Sequence, residues 1–222
     1  VGELRWRPPQ PAAPWPGVRD CARPGPRCPQ LGVGKGSFYE REFYPVEEPM
    51  DEDCLYLNVW TPAQSAGERL PVIFWVHGGA FMTGYGHSAH FDGEPFARQG
   101  VILVTINYRL NIFAWMTHPQ LSAESENHTS GNYGLLDQVA ALEWTRRNIA
   151  AFGGDPDNIT IAGQSAGAMS IQNLLTTPLT EGMVSKAIMQ SGGGITPMPD
   201  MRFPTLAQAE GRTDLSLLGV SD

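Results

Sequence analysis

A serine flanked on each side by a glycine two residues away is the strongest chemical signal in the sequence. Ser165 is the central residue of the segment Gly163-Gln-Ser-Ala-Gly167, which directly follows a short segment at 159–162 that is typical of a buried strand. A serine that projects from a sharp strand-to-helix turn leaves no room for side chains two residues away, and glycine has none. The pattern predicts a nucleophilic serine that attacks an ester carbonyl, with the N–H of Ala166 donating to the oxyanion. A tight turn that carries an incidental serine is the alternative.

A second glycine-rich segment follows an apolar run. His77 is followed by Gly78, Gly79, Ala80 and Phe81, directly after the apolar residues 72–76. Consecutive glycines let backbone N–H groups approach a ligand without obstruction from Cβ atoms. This segment alone is also consistent with a structural turn. Together with the serine motif it predicts an oxyanion hole, because the two segments belong to one acyl-transfer mechanism.

These two segments need a parallel sheet to bring them to a common edge. Strands are predicted at 55–60, 72–77, 101–107, 159–162 and 186–190. Helices are predicted at 94–98, at 135–149, from the serine motif through residue 175, and at 206–218. Strands that alternate with helices predict an α/β doubly wound sheet. Residues 1–53 form a proline-rich surface wrap and loop, 54–193 the sheet core, and 194–222 a tail. Trp6, Trp15 and Val18 are expected to anchor the wrap by burial.

Length, charge and cysteine content limit the classes of protein to which this chain can belong. A chain of 222 residues suffices for one α/β domain with a hydrophobic core. The net charge of −8 argues against a nucleic-acid partner. No apolar run reaches membrane-spanning length, and residues 1–9 do not form a signal peptide. Cys21, Cys28 and Cys54 match no zinc-binding pattern, and either one disulfide pair with a third thiol or three thiols is compatible with their spacing. No metal or organic cofactor is expected.

Five segments of the chain resemble one known family. They are the residues 52–62, 75–81, 107–110, 131–138 and 151–167. In these segments the chain resembles the type-B carboxylesterases, a family of α/β-hydrolases that includes the cholinesterases, and the resemblance runs from about Leu4 to about Gly193. It implies an incomplete α/β-hydrolase fold, the N-terminal part of a mixed sheet flanked by helices. It also implies an acylated nucleophile at Ser165 and oxyanion donors at Gly79, Ala80 and Ala166, with Gly163 and Gly167 as structural glycines of the elbow.

The resemblance implies a disulfide bond, and the chain departs from the usual residues of the family at several positions. It implies a disulfide between Cys28 and Cys54, which would favour a secreted or periplasmic protein, although the compartment is otherwise open. Gln164 stands where the family usually has glutamate, which removes a carboxylate beside the nucleophile. Ala80 replaces a usual glycine, which a backbone N–H donor should tolerate. The pair at 114–115, Ala-Trp, replaces a usual Gly-Phe near the pocket wall.

The expected catalytic triad is incomplete in this chain. In this fold the order along the chain is serine, acid, histidine. The five histidines all precede the serine, and they are His77, His87, His90, His118 and His128. His77 is expected to be structural, and the other four to be solvated loop residues. We therefore expect the chain to be a fragment, with the acid and the histidine supplied by a missing C-terminal part of the same protein, and to be nearly inactive alone. Of two N-x-S/T sequons, Asn127 is placed in a polar loop and Asn158 is expected to be structural.

The function that these residues favour is a serine carboxylic-ester hydrolase that acts on a small-molecule ester through an acyl-enzyme on Ser165. One alternative is a non-catalytic adhesion or interaction domain of the same fold. Another is a lipase that prefers long acyl chains.

Overall fold

One mixed sheet lies at the centre of the computed structural model, which describes residues 1–32, 34–43, 49–192 and 204–217. Its strands occur in the order β1-β3-β2-β4-β5. The pair β1 and β3 is antiparallel, and all other neighbours are parallel. The strands of the described residues are β1 (Leu57–Trp60), β2 (Leu70–Val76), β3 (Ile102–Ile106), β4 (Gly154–Gln164) and β5 (Lys186–Gln190).

The apolar composition of the central strands reflects their burial. All five residues of β3 are buried, and Val72, Phe74 and Val76 of β2 are fully excluded from solvent. Buried parallel strands form nearly continuous apolar runs, as the sequence predicted for these segments. At one edge, in contrast, all five residues of β5 are exposed.

Helices cover the sheet and the loops at its ends. The described helices are α1 (Phe38–Phe43), α2 (Glu94–Ala97), α3 (Asn111–Trp115), α4 (Pro119–Glu124), α5 (Tyr133–Asn148), α6 (Ala166–Thr176) and α7 (Pro204–Leu217). Helix α5 buries Leu142 and α6 buries Ile171 in one core cluster with the sheet. These two long helices hold the ends of the central strands in place.

The predicted elements all occur, and the largest difference is the length of β4. The strand begins at Gly154, whereas the sequence predicted it from residue 159 and took residues 153–156 only as the end of the preceding helix. Helix α5 does end near this point, with Gly153 at φ 79° after a 3₁₀ turn. Gly154 then already pairs with Leu70, and the register shifts before the regular pairing from Ile159 onwards. A single segment therefore ends the helix and starts the strand, and Pro156 is tolerated because it lies in the irregular stretch. The helix predicted at 206–218 is α7, and residue 218 lies outside the described part.

The expected apolar anchors of the N-terminal wrap are only partly confirmed. Trp6 is half-buried, and its indole N–H donates to Ile112 O at 2.8 Å. Trp15 is 53% exposed and Val18 is fully exposed, so the expectation that they are buried is wrong.

Polar contacts from the core hold the wrap instead. The amide of Asn107 donates to Pro26 O at 3.1 Å, and that of Asn111 donates to Pro29 O at 2.8 Å. Proline has no N–H but keeps its carbonyl acceptor, so a proline-rich strap is held most readily by donors from outside.

Candidate active site

Ser165 lies on the turn between β4 and α6 in a strained backbone conformation. Its φ and ψ are 54° and −122°, a region that residues other than glycine rarely occupy. Its N–H donates to Gln190 O at 2.9 Å, and its carbonyl accepts the first bond of α6 from Met169 N at 3.0 Å. Such strain costs about 1–3 kcal/mol and persists only where the surrounding structure enforces it. Within the described residues the half-buried hydroxyl of Ser165 has no hydrogen-bond partner.

The two glycines around this turn lie where the end of β2 presses against α6. A Cβ on Gly167 would lie 2.1 Å from Val76 O, and one on Gly163 would lie 2.6 Å from Gly167 C. Real Cβ atoms do not approach other atoms so closely. The turn can therefore sit against β2 only with glycine at both positions.

The loop after β2 runs directly beside Ser165. A methyl group on the Cα of Gly78 would lie 3.2 Å from Ser165 Cβ and 2.7 Å from Gln164 O. The two segments singled out in the sequence are therefore in contact, although they are almost ninety residues apart. Parallel pairing explains the contact, because Val76 at the end of β2 is opposite Gly163 at the end of β4.

The carbonyl oxygen of Gly79 in this loop is engaged, whereas two of the loop's amides are not. Gly79 O accepts from Met82 N at 2.9 Å and from Thr83 N at 3.0 Å. The amides of Gly79 and Ala80 donate to no described residue. Gly79 and Ala80 have φ values of 112° and 54°. This left-handed backbone turns the chain back sharply beside the serine.

Helix α6 adds a third source of donors. It begins at Ala166, which is 1% exposed, so its first N–H groups have no partner inside the helix. The helix dipole places a partial positive charge at the same end. An anion that forms at Ser165 would be stabilised by this end of α6 and by the free amides of the loop.

Within the described residues, none of the five histidines is hydrogen-bonded to Ser165. His77 is buried beneath the glycine loop, and burial lowers its pKa to about 4, so that it is neutral at pH 7. The expectation of a solvated loop residue is wrong for His118, which is 3% exposed and accepts from Gln120 N to cap α4. His128 is exposed, as expected.

The predicted disulfide between Cys28 and Cys54 is absent, and both residues are free, buried thiols. The two side chains lie close enough to affect each other: interaction with Cys54 lowers the pKa of Cys28, and interaction with Cys28 together with burial raises the pKa of Cys54. The Sγ atom of Cys28 also accepts from Leu110 N at 3.3 Å. The resemblance correctly predicted that the two cysteines lie together, but the disulfide bond that it implied between them is not present. Cys21 is also free and is exposed.

Gln30 supports the glycine loop, and sequence reasoning missed it. Its amide oxygen accepts from Gly84 N at 2.7 Å, and its amide nitrogen donates to Gly84 O at 3.0 Å. A single glutamine in a proline-rich loop has no pattern that would have singled it out. Through this contact the wrap holds the far end of the loop beside Ser165.

The described residues contain no group of three or more His, Cys, Asp or Glu side chains placed to hold a metal ion. Among the described helices, none has the length and apolar character needed to span a bilayer. The two sequons differ, since Asn127 is exposed whereas the Asn158 side chain accepts from Lys186 Nζ at 2.7 Å.

Comparison with known proteins identifies the family. The model of the carboxylesterase family matches residues 1–209. The chain belongs to the carboxylesterase family. It is 44% identical over 222 residues to a fumonisin B1 esterase of Sphingopyxis macrogoltabida, covering all of this chain and 40% of that protein. It is 43% identical over 224 residues to a para-nitrobenzyl esterase of Bacillus subtilis, covering all of this chain and 42% of that protein.

The fold agrees with solved members of this family. A carboxylesterase of Geobacillus stearothermophilus superposes with a TM-score of 0.85 at 44% identity, and the match covers all of this chain and 42% of that one. The sheet and its helices are thus part of an α/β-hydrolase fold, as predicted. The chain spans about two fifths of the length of the curated relatives named above.

Proposed function

We propose that the protein carrying this chain is a serine carboxylic-ester hydrolase with Ser165 as its nucleophile. The observation that supports this most is the strained conformation of Ser165 at the amino end of α6, with the backbone of Gly78 in contact beside it. Nothing in a plain βα turn requires such strain. At a nucleophilic serine, strain keeps the hydroxyl accessible above the edge of the sheet.

The reaction proceeds in two steps. Ser165 Oγ attacks the ester carbonyl carbon while a base takes the hydroxyl proton, and the carbonyl oxygen becomes an oxyanion. The N–H groups of Gly79, Ala80 and Ala166 stabilise this charge. The C–O bond to the alcohol then breaks, and the base returns the proton to the departing alcohol. Water attacks the resulting acyl-enzyme in the same way and releases the carboxylic acid.

The general base and its orienting acid are proposed to lie outside this chain, in the rest of the protein. Two facts support this: no described histidine is bonded to Ser165, and the relatives are more than twice as long. Loss of the base of a serine triad lowers turnover by up to about 10⁶-fold. We therefore expect the 222 residues alone to be nearly inactive on esters, whereas the complete protein is active.

A fluorophosphonate probe applied to the complete protein tests the proposal. We expect labelling at Ser165 and hydrolysis of p-nitrophenyl acetate, both abolished in Ser165→Ala. Ser185→Ala is the matched control, since this serine is exposed and its hydroxyl donates only to Asp157 O at 2.6 Å. A folded protein that neither takes up the probe nor cleaves esters would instead support the adhesion-domain alternative.

The substrate class is proposed to be small carboxylic esters. The named relatives are esterases for a fumonisin and for p-nitrobenzyl esters, which supports ester cleavage but fixes no substrate here. A series of p-nitrophenyl esters of increasing acyl length separates an esterase from a lipase. We expect the rate to fall from short to long chains, and a steady rise with chain length would favour the lipase.

A further inference from the structure

The side chain of His77 is held in one orientation beneath the glycine loop. It is 1% exposed, and its ring stacks on Tyr108 with centroids 4.3 Å apart and an interplanar angle of 20°. The Tyr108 hydroxyl donates to His77 O at 2.8 Å, which ties the ring and the backbone to the same residue. In this orientation His77 Nδ1 lies 2.7 Å from Gly78 O.

The chemistry of this contact determines which nitrogen carries the proton. A carbonyl oxygen only accepts hydrogen bonds, so the Nδ1 atom must be the donor. Burial lowers the pKa of His77 to about 4, so the ring is neutral near pH 7 and carries a single N–H, at Nδ1. The contact is therefore a hydrogen bond from His77 Nδ1–H to Gly78 O.

This bond fixes the direction of the neighbouring amide. In a trans peptide the C=O and the following N–H point in opposite directions. With Gly78 O directed at His77, the N–H of Gly79 must point away from the ring. The next peptide is held similarly, because Met82 and Thr83 occupy Gly79 O. Without the histidine, the peptide between two glycines would rotate easily, since glycine restricts neither flanking dihedral strongly.

We propose that His77 is a positioning residue that, through its bond to Gly78 O, keeps the Gly79 N–H aimed at the oxyanion formed at Ser165. The inference rests on the proposed esterase function and deepens it. His77 touches neither substrate nor the reacting atoms, and it acts only through the peptide that it holds. Gly84 completes the arrangement, because a Cβ there would lie 2.4 Å from His77 Nδ1 and 2.7 Å from Gly78 O.

Two substitutions in the complete protein place the same amide group at different positions. In His77→Asn the side-chain nitrogen falls near the position of Nδ1, whereas in His77→Gln it falls near that of Nε2. We expect kcat of the Asn variant on p-nitrophenyl acetate to stay within about threefold of the wild type. The Gln variant should lose about 10- to 100-fold in kcat, with KM nearly unchanged, since one oxyanion donor is worth about 10²–10³-fold.

A transition-state analogue separates positioning from general damage. A trifluoromethyl ketone forms a tetrahedral adduct with the serine, so its inhibition constant should rise in the Gln variant in proportion to the loss in kcat/KM. Equal kcat values in folded Asn and Gln variants would overturn the inference. So would a loss of kcat in the Gln variant with no change in the affinity for the ketone.

A second pair of variants tests the same bond without changing the histidine. Gly84→Ala inserts a methyl group between His77 Nδ1 and Gly78 O, whereas Gly100→Ala also puts alanine at positive φ but meets nothing within 4 Å. We expect a loss of kcat only in the first. Added to His77→Gln, Gly84→Ala should cause little further loss, because both remove one interaction. Fully additive losses would overturn the inference. So would wild-type kcat in Gly84→Ala, and this result does not depend on a folded His77→Gln variant.

Labelling of the wild-type protein distinguishes a failure of the esterase proposal from a failure of the role of His77 alone. If it takes up no fluorophosphonate, the esterase proposal fails, and the role of His77 fails with it. If it is labelled at Ser165 but the histidine and glycine variants behave like their controls, only the role of His77 is wrong.

Discussion

Acidification should destabilise the folded protein through His77, and the size of the effect follows from its burial. Desolvation lowers the pKa of this ring from 6.5 to about 4, against a smaller opposing effect of the bond to Gly78 O and with a further small lowering by His87 and His90. Between these two pH values the unfolded chain binds a proton at this position that the folded chain excludes. The free energy of unfolding therefore decreases as the pH falls from about 6.5 to about 4.

The shift in the pKa of His77 produces a measurable difference in the free energy of unfolding between two pH values. At about pH 4.5 the unfolded state gains about 2–3 kcal/mol from protonation of this one ring relative to the folded state, whereas at about pH 7 it gains almost nothing. The perturbation is His77→Asn, which removes the titrating group and keeps a donor to Gly78. Its cost from lost packing is the same at both pH values and cancels in the comparison. The assay is urea unfolding of the complete protein and of the variant at both pH values.

We expect the free energy of unfolding of the Asn variant, relative to that of the wild type, to increase by about 2 kcal/mol when the pH is lowered from about 7 to about 4.5. His128→Asn is the control, because the same substitution at an exposed loop histidine should change nothing. His90 also has a pKa lowered by burial, and this burial is common to all three proteins. Parallel stability profiles for the wild type and His77→Asn would refute the argument that His77 is buried and neutral.

Three further outcomes follow from the structure. Gly167→Ala should lower the free energy of unfolding by about 1–3 kcal/mol and also reduce ester hydrolysis, because the new methyl group overlaps the carbonyl at the end of β2. Asp137→Ala should lower the free energy of unfolding, measured in urea, by about 3–5 kcal/mol. The reason is that it leaves the Arg109 guanidinium, which is 11% exposed, without its carboxylate partner. The double variant Asp137→Leu/Arg109→Met should lose less, because it removes both charges. Alkylation in denaturant without reductant, followed by peptide mapping, should modify both Cys28 and Cys54, which are free thiols buried in the folded protein.

A specific result would contradict each of these three predictions. Wild-type stability and activity in Gly167→Ala would mean that β2 and α6 are further apart than described. A double variant less stable than Asp137→Ala would show that the pair contributes more than its desolvation costs. Recovery of Cys28 and Cys54 as one disulfide-linked peptide pair would restore the original expectation.

Local chemistry in the sequence was enough to locate the serine turn and the strands. Glycine at 163 and 167 is a steric requirement that follows from a serine on a sharp turn, and the contacts with Val76 O and Gly167 C are the clashes that the missing side chains avoid. The apolar runs likewise predicted the central strands, because buried parallel strands consist mostly of apolar residues. The start of β4 was missed, since a segment that ends a helix gives no sign that it also pairs with Leu70.

Only the tertiary structure decided what surrounds the serine. The contact between Gly78 and Ser165 depends on the register of β2 against β4, and the orientation of His77 depends on Tyr108, thirty-one residues away. The support from Gln30 joins two loops that no local pattern connects. The sequence by itself determined which residues have the right chemistry, because side-chain size and backbone freedom are local properties. Distances between segments remote in the chain result from the packing of the whole sheet, so the environment of the serine emerged only with the fold.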